Sequence, residues 1–249
     1  MAPIYQPIGT AFGIVPAMKP VAYPNLLLLL AFLPLAQVGA AQFGKQGRHS
    51  LSFGGRIGHP LGGFSAVWGG RMAGYGGQLI MPMRVLPLGF GVQYDRSSLG
   101  AFRTDVPIDV PYLDATEGRL VVRSSNHGFH AVTRFDPLRG RFVPYADLLA
   151  GWRSFSLRSK LTVDGVDGPL EREVLQRGSA FSWGWAAGLM VRLKGPLYGE
   201  IRVERSYSGE SQWTDPGSIE LDQDGLLNYE ERSSSADALF IQAGISLRF

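Results

Sequence analysis

The stretch ADALFIQAGISLRF alternates, and no other feature constrains the fold of this chain as tightly. From Leu239, every second residue is apolar: Leu239, Ile241, Ala243, Ile245, Leu247 and Phe249. The intervening set is Phe240, Gln242, Gly244, Ser246 and Arg248, of which only Phe240 is large and apolar. A strand sends successive side chains to opposite faces, so the segment has one greasy face and one small or polar face. A helix would scatter the same residues around its circumference.

The pattern recurs along the chain. SLSFGGRIG places Leu51, Phe53 and Ile57 opposite Arg56, and YGGQLIMPM aligns Tyr75, Leu79, Met81 and Met83. LPLGFGVQYD sets Phe90, Val92 and Tyr94 against Gln93 and Asp95. The stretch from Arg119 to Phe135 is less regular, its best part setting Phe129, Ala131 and Phe135 against His130 and Arg134. RFVPYADLLAGW opposes Phe142, Ala146, Leu148 and Trp152 to Tyr145, Asp147 and Arg153. FSWGWAAGLMVRL keeps Phe181, Trp183, Trp185, Leu189 and Leu193 in step, and LYGEIRVERSY sets Ile201 and Val203 against Glu200, Arg202 and Glu204. With the last segment this makes eight strands, and no amphipathic helix competes with them after Gln42.

The connections alternate in length. Short turns fall near Arg84–Leu86, at DPLRGR and at LKGP, where Gly and Pro mark reversals. Long connections are expected over His59–Gly74, Ser97–Gly118, Ser159–Ser179 and Gly209–Asp237. Connections of that length argue against the strands in a compact soluble domain. They suit an up-and-down barrel embedded from one side. The expected fold is all-β, an eight-stranded antiparallel up-and-down transmembrane β-barrel over residues 42–249, with four long outer loops.

The beginning of the chain carries an address. Lys19 precedes the apolar run NLLLLLAFLPLAQVGA, and Gly39, Ala40 and Ala41 follow. A positive start, a short apolar core and a small-residue exit read as a signal peptide over residues 1–41, with Met18 as an alternative start. Pro34 interrupts the run, which falls short of the ~20 residues of a spanning helix. Composition removes other classes. The chain has 0 cysteines, which excludes disulfides and thiolate metal sites, and its net charge of +3 comes without a basic run, so no nucleic-acid partner is expected.

Alternation by itself does not choose the face. A lipocalin-like soluble barrel would turn Trp152, Trp183 and Trp185 inward around a ligand and leave the charges in water. The leader, the rhythm of connections and the final Phe249 favour the opposite arrangement, with Trp152, Trp183, Trp185 and Tyr207 facing lipid. The charges then fall in the lumen. An eight-stranded interior is just wide enough to be filled by side chains, and a buried charge must be paired. Glu200, Arg202 and Glu204 are expected to form a structural network with Arg56, Asp147, Arg153 and Arg248, closing the lumen; a narrow ion pathway is the alternative.

LSFGGRIGHPLGGF, FVPYADLLAGW, LYGEIRVERSY and LFIQAGISLRF together resemble the small outer-membrane barrels of the OmpA/OmpX type, and in particular the Bacteroidota-type outer-membrane β-barrel domain, over Leu51–Phe249. The resemblance implies an outer-membrane location, contact with outer-membrane lipids, and recognition of Phe249 by the barrel-assembly machinery. No peptidoglycan-binding domain is expected after the barrel, so the resemblance is to the barrel alone and not to the full OmpA architecture. Some barrels of this size modify lipid A through Ser and His. Here Ser124, Ser125, His127 and His130 cluster in RSSNHGFH, but no acidic partner is identifiable, and a polar strand end near the outer rim is the preferred reading.

The last connection contains ELDQDGLLNYEE. Against a calcium loop, Glu220, Asp222, Asp224, Leu226, Asn228 and Glu231 take the ligand positions, with Gly225 at the sharp turn. Glu replaces the usual Asp at the first position and no flanking helices are evident, so a solvated acidic loop is the competing reading; Ca2+ is the one cofactor the sequence raises. Trp68, Tyr112 and Trp213 fall in long connections and are the aromatics an extracellular ligand would use, unless they pack loop against loop. The expected role is non-catalytic, structural or surface-binding, with a small porin or a lipid A-modifying enzyme as alternatives.

Overall fold

A computed structural model describes residues 49–83, 86–107, 117–138, 140–163, 169–222 and 227–249. The leader read over residues 1–41 lies outside these residues. The described chain is almost all strand. β1 (Ser50–Pro60), β2 (Met72–Pro82), β3 (Leu88–Pro107), β4 (Glu117–Phe135), β5 (Phe142–Val163), β6 (Pro169–Lys194) and β7 (Leu197–Ser208) follow in order, with a one-turn helix α1 (Gly62–Val67) between β1 and β2. Short strands β8 (Glu210–Thr214), β9 (Glu220–Leu221), β10 (Leu227–Asn228) and β11 (Glu231–Ser235) precede the final β12 (Ala238–Arg248).

β1 to β7 and β12 close into an eight-stranded antiparallel barrel in which each strand pairs with its chain neighbours and β12 pairs with β1. Closure leaves no unpaired edge, which is what a strand assembly needs in order to stand in lipid. The strands sequence alternation marks are the strands observed, and the register keeps every greasy face on one side of the wall. That side is the outside. Ile57, Leu148 and Ile201 are 63%, 66% and 62% exposed, while Arg134, Arg153 and Arg202, facing inward, are 1%, 0% and 1% exposed. A soluble barrel has the reverse distribution.

The connections depart from expectation in two places. Much of the polar sequence assigned to long loops is strand: β3, β4, β5 and β6 run for 20, 19, 22 and 26 residues, against 11 for β1. Only residues 108–116 connect β3 to β4 and only residues 164–168 connect β5 to β6, so one wall of the barrel rises well above the rest. The physical reason is the last connection. Ile219 and Tyr229 from residues 209–237 pack against Leu120, Val122, Phe102 and Leu157 on the inner face of this tall sheet, giving it a second layer and an apolar core. β8 pairs with β11, and this hairpin lies against β6, where a Cβ on Gly178 would run into the backbone oxygen of Gln212. Bulges at Leu99 and Leu175 tuck an extra apolar side chain into these layers.

Candidate functional site

The lumen is built from the inward set of each strand. Near the short turns, Arg134 holds Asp147 through two parallel bonds, Nε to Oδ1 at 2.8 Å and Nη2 to Oδ2 at 3.0 Å, with its guanidinium 3.7 Å over the Tyr145 ring. The Tyr145 hydroxyl donates to Glu200, which also accepts from Gln78 Nε2 at 3.3 Å. At mid-height Arg202 lies between Asp147 and Glu204, 3.3 Å from a carboxylate oxygen of each, and donates to Gln93 Oε1 at 2.6 Å. Above it, Arg56 bridges Glu204 and Asp95, each at 3.0 Å, and stacks 3.7 Å from the centre of the Phe240 ring. His130 Nε2 shares a hydrogen bond with Ser182 Oγ at 3.2 Å, and Ser182 reaches Ser206 at 3.3 Å. A glycine makes room: Gly128 faces both Asp95 and Arg153 in the register, and a Cβ there would sit 2.6 Å from Asp95 Oδ1.

An apolar plug closes this stack toward the long connections. Phe64 of α1 packs with Trp68, Met72, Leu99, Phe155, Trp213, Ala236, Ala238 and Phe240. Phe64 meets Trp213 edge-on with centroids 4.9 Å apart, and Trp213 Nε1 donates to Ser234 Oγ at 2.9 Å. Arg153 donates to the Ala236 carbonyl at 3.1 Å beneath the plug, and Arg232 ties the β8–β11 hairpin to the Val67 carbonyl at 2.6 Å.

Arg56, Asp147, Arg153, Glu200, Arg202 and Glu204 all project into this lumen and are buried. Arg248 does not join them: it stands at the turn end and donates to Asp136 at 2.7 Å. Phe249 lies beside it, its ring 5.8 Å from that of His49, and its N–H donates to the His49 carbonyl at 3.0 Å. Ser124 and His130 face inward, whereas Ser125 and His127 face outward, so RSSNHGFH is split by the wall and forms no single cluster. His127 Nδ1 shares a hydrogen bond with the Tyr94 hydroxyl at 2.9 Å, and Ser125 with Ser156 at 3.0 Å.

Trp68 and Trp213 are 7% and 1% exposed, which agrees with their packing loop against loop and leaves neither free for an extracellular ligand; the apolar area of an indole is stabilised by burial, and the two meet in the plug. Tyr112 lies outside the described residues. In the acidic motif, Asp224 and Leu226 also lie outside them. Glu220 and Asn228 are partners across β9 and β10, while Glu231 belongs to β11 and pairs with Thr214. Among the described residues no group of three His, Asp or Glu side chains is placed to hold a metal.

Sequence reasoning left Asp95, Gln93, Gln78, Arg134 and Tyr145 out of the network. Their signal was present, since each sits at the polar parity of its strand. Phe240 was the exception in an otherwise polar set, and its inward position is explained by the plug above it and Arg56 beside it.

A closed eight-stranded antiparallel wall, apolar outside and charged inside, defines a small barrel of the outer-membrane type. No family model and no curated protein matches the chain in sequence. Solved structures with similar architecture include Ail, the attachment invasion locus protein of Yersinia pestis, at 13% identity and TM-score 0.39, covering 82% of this chain and 100% of that one. Neisserial surface protein A matches at 14% identity and TM-score 0.40, with the same 82% and 100% coverage. A major outer membrane protein from Thermus thermophilus matches at 16% identity and TM-score 0.38, covering 80% and 99%. The likeness is one of fold.

Proposed function

We propose that this chain is a non-catalytic outer-membrane barrel protein with a closed lumen, acting at the cell surface through the wall and hairpin at its loop end. The observation that carries the reading is the inverted burial: large apolar side chains cover the outside while paired arginines and carboxylates fill the inside. Lipids solvate the first set, and mutual pairing compensates the second. The salt-bridge ladder and the plug above it favour a structural lumen over a pore. The Ser125–Ser156 and Tyr94–His127 pairs, with no carboxylate hydrogen-bonded to His127 among the described residues, give no support to a hydrolytic centre.

The test is fractionation followed by gel mobility with and without boiling, then single-channel recording. Outer-membrane enrichment, a heat-dependent shift and no steady conductance are expected. A periplasmic protein with no shift overturns the membrane reading, and a stable open conductance overturns the closed lumen.

A further inference from the structure

The outward face of β3–β6 changes character in successive rows. Val92, Ala131, Ala150 and Trp183 are cross-strand partners and form an apolar row. Two residues further toward the loop end stands an unbroken aromatic row: Tyr94, Phe129, Trp152 and Phe181. The next row is Arg96, His127, Ser154 and Ser179, followed by Ser98, Ser125, Ser156 and Arg177, and then by Ala101, Arg123, Arg158 and Val174. Each row advances about 7 Å along the strands, so the basic rows begin immediately beyond the aromatic girdle, at the depth of lipid headgroups.

These charges are unlike those in the lumen. Arg96, Arg123, Arg158 and Arg177 are exposed, and among the described residues none has a carboxylate at ion-pair distance; Asp105, the outward carboxylate further up β3, is taken by Arg119 at 3.4 Å. Arg123 and Arg158 are direct cross-strand partners, an arrangement that repels unless an anion sits between them. Beside them Ser125 and Ser156 face outward yet are each only 7% exposed, with hydroxyls 3.0 Å apart. Guanidinium forks with adjacent hydroxyls are the donor set that fits phosphate oxygens. Basic groups flanking a membrane-embedded surface are drawn to anionic lipid.

We propose that this face, centred on Arg123, Arg158, Ser125 and Ser156 with Arg96 and Arg177 at its edges, binds the phosphate groups of a phosphorylated glycolipid headgroup in the surrounding leaflet. The inference rests on the membrane placement proposed above. Its position supports a lipid over a soluble polyanion, since the basic rows share a face and a register with the lipid-facing aromatic row.

The test uses the full chain refolded into phosphatidylcholine nanodiscs doped with bis-phosphorylated lipid A or with its dephosphorylated form. A heat-dependent mobility shift is first recorded for each sample. Lipid retained after transfer to detergent is then measured by native mass spectrometry. The phosphorylated lipid should be retained about tenfold over the dephosphorylated one, and R123Q/R158Q should abolish most of that preference while the mobility shift stays. R96Q/R177Q should weaken it less and serves as a second variant. Equal retention of the two lipids, unchanged retention in both variants, or full displacement by inorganic phosphate or a soluble sulfated glycan overturns the proposal. No preference in the wild-type protein with an intact shift sinks this inference alone, whereas absence of the shift in wild type sinks the membrane placement with it.

Discussion

Arg56 of β1 binds Glu204 of β7 inside the barrel, Nη2 to Oε1 at 3.0 Å, although 148 residues separate them in the chain. Glu204 also lies 3.3 Å from Arg202 and accepts from Gln93 at 2.9 Å. One carboxylate therefore holds two buried guanidiniums in place.

Glu204→Ala should be among the most damaging lumen substitutions. It leaves Arg56 and Arg202 short of a counter-charge, and breaking a buried pair from one side costs about 3–5 kcal/mol. Urea-dependent loss of the heat-modifiable band should occur at clearly lower denaturant than in wild type. The double change Arg56→Met with Glu204→Leu should recover a substantial part of the loss, because it removes both charges together.

Gly128→Ala should destabilise by steric means alone. The new methyl would meet Asp95 Oδ1 at 2.6 Å and displace the carboxylate from Arg56. Overpacking of this kind costs about 1–3 kcal/mol. Gly55→Ala, whose nearest neighbour is the Gly74 backbone oxygen at 4.0 Å, is the matched control and should be neutral by the same urea titration.

Trp213→Ala should loosen the plug and spare the barrel. The indole is buried against Phe64 and Trp68, and truncating such a side chain costs about 3–5 kcal/mol. Limited proteolysis should then cut within residues 209–237, while the barrel fragment keeps its heat-dependent mobility. Protection equal to wild type would show that the plug does not depend on this ring.

Ile201→Arg tests which face meets lipid. The side chain is 62% exposed on the outer wall, between its outward cross-strand partners Ala243 and Leu189. A charge facing hydrocarbon at mid-depth costs about 2–4 kcal/mol. Refolding yield into bilayer vesicles should fall sharply, with a milder effect in detergent micelles. An equal yield in vesicles would argue that this face meets water.

Eight strands, their short turns and the parity of nearly every side chain were legible in the sequence, because a period of two survives any arrangement of the strands. The tall wall was not legible. SSLGAFRTDVP and PLEREVLQRGS read as loop when one face is expected to meet water, and the apolar residues Phe102, Val106, Leu161 and Leu175 gain a reason to be strand only once Ile219 and Tyr229 join their cluster. The lumen partners were equally hidden. Parity placed Arg56 and Glu204 on the inner face, but strand closure and register decided that they meet each other and Asp95.

The sequence by itself determined a two-faced strand repeat with a greasy side and a charged side. The tertiary structure decided which side is inner, since closure at eight strands leaves a lumen that paired side chains fill and turns the apolar set outward. It also decided the fate of Trp68 and Trp213, drawn from connections far apart in the chain into one plug. Such contacts depend on loop closure over long separations, and no local pattern encodes them.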